Sequence, residues 1–274
     1  SPIDSLPDTL RVWDEAERKI YLSEALDHQN RTFQLAHALC FIEFSDVLDA
    51  ITGSTSFTSE SHATRCHVEL ANYFAAAFLM PYDAFLDKAE ETRYDLDRLA
   101  AAFAVSIEQA AQRLTTLQRD GRRGVPFFFL RIDKAGNVTK RFNATSFSIA
   151  EYGGACPVWN VHVAFRTPGV LLPQLVELPD GQQFFTISRT TERPVYSMET
   201  QDRRLAIALG CESQHAHRVI YASGLDLSPS GAASKIGINC HLCPRHNCGQ
   251  RAYDPIVTEL TTDTKRRGET RYES

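Results

Sequence analysis

A chain of 274 residues with 43% hydrophobic and 23% charged residues has an ordinary globular composition and the length for one large or two to three small domains. The net charge of −5 argues against duplex nucleic-acid binding by this stretch alone, because such affinity rests on Lys and Arg. No apolar run is long enough to span a bilayer, and SPIDSLPDTL has neither a basic n-region nor an apolar h-region, so neither a membrane segment nor a signal peptide is expected.

In chain order, Leu10–Leu22 alternates around a polar middle and predicts two short strands joined by a turn, with Ser23 able to cap the next element. Leu35, Leu39 and Ile42 predict a helix over 30–48. Residues 65–80 predict a second helix, with Val68, Ala71, Ala75 and Phe78 on one face and Pro81 ending it. Residues 94–118 predict a helix-turn-helix-like pair, the second helix capped by Ser106. Such pairs occur as structural modules without DNA. From Val125 the pattern changes to strands. Two hairpins are expected, 126–142 around Asp133–Asn137 and 170–190 around Asp180–Gly181. Short helices are expected at 158–165, 203–210 and 214–222, completing a mixed α/β domain with a mostly antiparallel sheet.

Seven cysteines are an odd number in a long chain, so a disulfide framework is not indicated and a reduced, cytoplasmic protein is expected. Three of them form Cys240-His-Leu-Cys243-Pro-Arg-His-Asn-Cys248. Thiolates at that spacing suit a soft metal, and the spacing alone fits structural zinc as well as iron–sulfur. Arg245 and Arg251 flank the motif. Cys156, just before Pro157, is read as a buried thiol, and no nucleophile-plus-base pair is visible near it or near His162.

Arg31–Phe41 and the later Ala71-Asn-Tyr-Phe-Ala-Ala-Ala-Phe-Leu-Met-Pro81 resemble the zinc peptidase-like family, whose H-E-x-x-H helix needs two His ligands and a Glu base. Here His37 remains, Ala38 stands at the base, Phe41 at the second ligand and Leu70 at the third. Glu69 lies one residue away, about 100° around the helix. The expectation is a disarmed scaffold without hydrolysis. A metal-dependent hydrolase on this helix pair is the alternative.

The combination of Gly154–Trp159, Ala164-Phe165, Leu209-Gly-Cys211, His215-Ala-His217 and Ile236–Ala252 resembles the short-chain fatty acyl transcriptional regulators, most closely the members that control propionate catabolism. The resemblance covers about 10–255. It implies an α+β regulatory region: a degenerate peptidase-like subdomain (1–90), a helix-turn-helix-like module (91–124), a mixed α/β acyl-CoA-sensing domain (125–230) and an iron–sulfur segment (231–274). DNA would be read by an N-terminal helix-turn-helix domain outside this chain, and a homodimer stays open. The resemblance further implies a [4Fe–4S] cluster at Cys240, Cys243 and Cys248, with Cys211 as candidate fourth ligand and His215, His217, His241 and His246 as weaker ones. It also implies a short-chain acyl-CoA effector, for which Arg141, Phe147, Tyr152, Trp159, Arg166 and Arg189 are the candidate contacts. A structural zinc-binding interaction module is the remaining alternative.

Overall fold

The computed structural model describes residues 1–2, 6, 9–148, 153–192, 204–228, 232–260 and 265. The expected N-terminal hairpin is present: β1 (Arg11–Asp14) and β2 (Lys19–Leu22) pair antiparallel. Asp27, not Ser23, caps α1 (His28–Glu43), its Oδ1 accepting from Asn30 N at 2.7 Å. The helix expected to reach Leu48 breaks at Phe44, whose backbone leaves the helical region (φ −131°, ψ 23°), and α2 (Ser45–Gly53) comes next. α3 (Glu60–Leu79) starts earlier than expected because Ser59 caps it. α4 (Tyr82–Glu91) is a further helix, burying Phe85, Leu86 and Ala89. In the pair α5 (Leu96–Phe103) and α6 (Ile107–Leu114), Ser106 and Gln109 form a reciprocal capping box: Gln109 N donates to Ser106 Oγ (3.2 Å) and Ser106 N to Gln109 Oε1 (2.8 Å).

By packing, the described residues divide into two units, one around 1–91 and 96–113, the other around 92–95, 114–192 and 204–265. In the first, Cys40, Leu48 and Ala71 join α1, α2 and α3 in one apolar cluster. Arg113 of α6 is 2% exposed there. Its Nε donates to Met80 O at 3.0 Å, and its guanidinium lies over the Tyr73 and Tyr82 rings. A buried charge is tolerable in such a place because hydrogen bonds and aromatic faces replace its water.

The second unit is built on a six-stranded sheet in the order β4-β3-β7-β6-β5-β8. The expected hairpins are β3 (Phe128–Ile132) with β4 (Val138–Asn143), and β5 (Leu172–Glu177) with β6 (Gln183–Thr191). Of the residues 203–210 expected as a helix, 205–210 belong instead to strand β7 (Leu205–Glu212), which pairs with β3 on one side and β6 on the other. A central strand buried on both faces has no period-2 signature, so its apolar run looks like a helix segment. Residues 158–165 form turns ending in one 3₁₀ turn (Val163–Arg166), and 214–222 form two 3₁₀ pieces (Ser213–Arg218, Ile220–Ala222) in place of α-helices. β8 (Ser234–Lys235) adds a short parallel edge beside β5.

Strand alternation decides which side chains reach the site. One sheet face carries Phe128, Leu130, Ile132, Phe184, Ala206 and Ala208, and these pack in one core with Phe147, Cys156, Trp159 and Ile236. Trp159 Nε1 donates to Thr186 Oγ1 (3.2 Å) and Asn160 N to Gln174 Oε1 (2.8 Å), which fixes the 153–166 segment over that face.

A candidate metal centre of four cysteines

Cys156, Cys240, Cys243 and Cys248 line one cavity of about 290 Å³, solvent-open space included, together with Gly237, Asn239, Arg245 and Arg251. The C-terminal segment reaches this place through backbone contacts. Ile236 N donates to Glu177 O at 3.0 Å, continuing the β8 edge. Arg245 Nη2 donates to the same carbonyl at 2.9 Å and its Nε to Ile236 O at 3.2 Å. Asn239 Oδ1 then accepts from Leu242 N at 2.9 Å, closing the turn that carries Cys240 and Cys243. Gly237 is required for close approach: a Cβ there would lie 2.7 Å from Cys243 Sγ and 2.8 Å from Cys243 Cβ.

The charges suit an anionic occupant. Arg251 is 5% exposed, and it donates to Cys240 O (Nη1, 3.2 Å), to Cys243 O (Nη2, 3.2 Å) and to Arg245 O. Its Nε is buried with no hydrogen-bond partner among the described residues. Burying a guanidinium with an orphan N–H is costly unless negative charge stands nearby. Backbone groups also address the sulfurs: Ala252 N donates to Cys240 Sγ at 3.5 Å, and Gly237 and Val158 hydrogen-bond Cys156. Burial pushes the Cys156 thiol up, those two hydrogen bonds oppose it, and the charges of Cys240 and Cys243 raise it further. Among the described residues, no three His, Cys, Asp or Glu side chains converge as a group that could hold a metal ion.

Of the sequence-predicted ligands, the structure brings together Cys240, Cys243 and Cys248 and leaves Cys211 out. Cys211 sits on β7 opposite Phe185, one residue out of phase with Ala206 and Ala208, so it points away from the face that holds Cys156. It is fully buried, and burial first, then the Glu212 charge, push its thiol up to about 12, with Arg218 opposing. His215, His217, His241 and His246 do not line the cavity either. Cys156, read from the sequence as a buried thiol, also lines this cavity. Its only sequence signal is a thiol in a Gly-Gly-Ala-Cys-Pro turn, a segment built for close backbone approach.

Beside the thiols lies an apolar cavity of about 280 Å³, solvent-open space included. It is lined by Leu130, Val138, Phe147 and Trp159 and floored by the small residues Gly154, Ala155 and Gly237. Phe147 stacks on Phe128 with centroids 4.0 Å apart and meets Trp159 at 5.5 Å. Two candidate acyl-CoA contacts, Phe147 and Trp159, therefore come together. The arginines do not join them in the lining. Arg141 is exposed on the edge strand β4, opposite Leu130 and on its face. Arg166 is exposed at the end of its 3₁₀ turn. Arg189 pairs with Ile207 on the opposite sheet face. Tyr152 lies outside the described residues.

In the first unit, His37 is 8% exposed and its ring is hydrogen-bonded. Arg11 Nη1 lies 3.0 Å from His37 Nδ1, so Nδ1 accepts and the neutral ring carries its proton on Nε2. The ring also hydrogen-bonds the Val68 backbone. Phe41, in the second ligand's place, packs against the ring at 5.3 Å. Burial first and then the Arg11 charge hold His37 down at about 4, against opposing contributions from Val68 and Glu69. A guanidinium thus sits beside Nδ1 of this imidazole.

The family described as "Short-chain fatty acyl coenzyme A regulator, C-terminal" matches residues 116–272, and the "IrrE N-terminal-like domain", a peptidase family, matches residues 4–115. The propionyl-CoA carboxylase regulator of Cereibacter sphaeroides is 48% identical over 241 residues, 88% of this chain and 52% of that protein. The HTH-type transcriptional regulator RamB of Mycobacterium tuberculosis is 43% identical over 266 residues, 96% of this chain and 56% of that protein. The chain thus spans about half the length of these curated relatives. A solved Mycobacterium tuberculosis transcriptional regulator superposes with a TM-score of 0.91 at 36% identity, covering 100% of this chain and 83% of that one. With its mixed α+β fold and its peptidase-like N-terminal domain, the chain belongs to the short-chain fatty acyl-CoA regulator family.

Proposed function

We propose that this chain is the effector-binding regulatory region of a transcription regulator of propionate and short-chain fatty acid metabolism. It is a cytoplasmic protein without enzymatic activity, and it reaches DNA through a domain outside this sequence. No helix among the described residues is long and apolar enough to cross a membrane. The observation that carries the reading is the thiol cavity: four cysteines from two distant segments, with a buried arginine whose Nε lacks a partner. Cys156, Cys240, Cys243 and Cys248, which line one cavity, would hold a [4Fe–4S] cluster, four cysteines being the usual ligand set for such a core. When bound, such a core supplies several metal–thiolate bonds that tie the C-terminal segment to the sheet, and a centre whose charge responds to redox state. Arg251 and the backbone amides would balance its charge.

The neighbouring apolar cavity is the place for a short acyl chain. Its small lining residues Gly154, Ala155 and Gly237 favour a short chain over a long tail. Phe147 and Trp159 would wall the acyl group, and Arg141, on the same sheet face, is the arginine best placed for the CoA phosphates. An effector shifts a conformational equilibrium only by its differential affinity for the two states. His37, spent on Arg11 and Val68, supports the regulatory reading over hydrolysis.

A thermal-shift titration with propionyl-CoA tests the effector reading. Near a hundredfold excess over Kd, stabilisation of about 2.7 kcal/mol is expected, a rise of about 5 °C or more. No shift at millimolar propionyl-CoA removes the acyl-CoA reading.

A further inference from the structure

The thiol cavity and the apolar cavity share a wall one residue thick. Ala155 lines the apolar cavity and its neighbour Cys156 the thiol cavity. Ile238 lines the apolar cavity and its neighbour Asn239 the thiol cavity, while Gly237 lines both. The two halves of the wall are packed without slack. A Cβ on Gly153 would lie 3.0 Å from Asn239 Nδ2, and one on Gly237 would collide with Cys243. Behind the wall, Ala155 N donates to Gly136 O at 3.1 Å, and His162 Nε2 lies 3.2 Å from Ala155 O. Displacement of Cys156, Asn239 or Cys243 therefore moves a surface of the apolar cavity, because a close-packed interior transmits strain.

We propose that the thiol cavity regulates the apolar one through this partition. With the four thiols tied to one core, residues 155–156 and 237–239 are fixed and the apolar cavity is formed. With the thiols released, the partition relaxes and affinity for a short acyl chain falls. The proposal rests on the metal and acyl-CoA readings above and adds their coupling. Coupling between binding sites is reciprocal, so a bound acyl group also retards release of the core.

The test uses the full chain, purified anaerobically, with Trp13→Phe leaving Trp159 as the sole tryptophan. Propionyl-CoA affinity is measured by calorimetry on the loaded protein and on protein stripped with a chelator, its fold checked by circular dichroism. Trp159 emission reports the cavity wall independently. Expected are binding at least about fivefold weaker after stripping, a shifted Trp159 emission, and slower loss of iron to chelator when propionyl-CoA is present. Ile238→Ala alters the partition and replaces none of the four cysteines. It should keep its iron while the loaded-to-stripped affinity ratio falls below about twofold. Should stripping unfold the chain, propionyl-CoA protection against iron loss is compared between parent and Ile238→Ala instead. Protection should be strong in the parent and weak in the variant. Equal affinities in folded loaded and stripped protein, or an Ile238→Ala variant with undiminished coupling or protection, overturns the proposal. Absence of binding to iron-loaded protein overturns it together with the effector reading, and absence of iron overturns it together with the metal reading.

Discussion

The helix pair around His37 and the cavity around Cys243 both carry residues of metal-binding type, and they have gone opposite ways. In the first, the imidazole is consumed: one nitrogen accepts from Arg11, the ring also bonds the Val68 backbone, and Phe41 covers it. In the second, four cysteines line one cavity, and the arginine beside them keeps an unmatched N–H. Residue type alone does not separate the two regions. The difference lies in whether the buried polar groups are matched within the protein: His37 is paired with Arg11, and Arg251 Nε has no partner among the described residues.

The largest expected effect comes from Cys156→Ser. A hard oxygen replaces a soft thiolate, so most bound iron is lost, with about 3 kcal/mol or more of apparent stability, as read by metal analysis and denaturant titration. Next, Arg251→Met keeps every sulfur but strands the carbonyls of Cys240 and Cys243. It should cost about 2–3 kcal/mol and weaken metal retention by about 10–100-fold against a competing chelator.

His37 gives a pH signature in the opposite region. Its folded pKa, about 4, lies below the unfolded value of 6.5. The unfolded chain therefore binds the proton first. The stability this neutral ring contributes is complete above about 6.5 and is lost as pH falls toward 4. From pH 6.5 to 5 the loss should be about 2 kcal/mol, and His37→Gln should flatten that part of the stability–pH curve. The smallest effect belongs to Cys211→Ala, which should leave the iron content unchanged and cost about 1 kcal/mol. Iron loss as large as that of Cys156→Ser would restore Cys211 as the ligand.

Much of this was legible in the amino-acid sequence, in uneven ways. The hairpins were legible because turn residues mark them, and three cysteines were legible because they lie within one short motif. Cys156 was not, since the fold brings it to their cavity from a distant loop. One misreading of secondary structure bears on Cys211. Residues 203–210 read as a helix, and on a helix the direction of Cys211 was unconstrained. As strand β7, the same residues alternate, and Cys211 falls on the face opposite Ala206 and Ala208. Phe147 and Trp159, which line one apolar cavity, were recoverable as bulky residues near Gly-rich turns. That Arg189 lies on the far sheet face became visible only with strand parity. The loss of the peptidase motif was visible as Ala38 and Phe41, but the replacement of a metal by Arg11 needed the hairpin docked against α1.

The central claim, that four sulfurs enclose a polynuclear inorganic core, is tested most directly by iron and acid-labile sulfide analysis of the anaerobically purified chain. About four irons and four sulfides per chain are predicted. Material with neither, or with one zinc in their place, would contradict it.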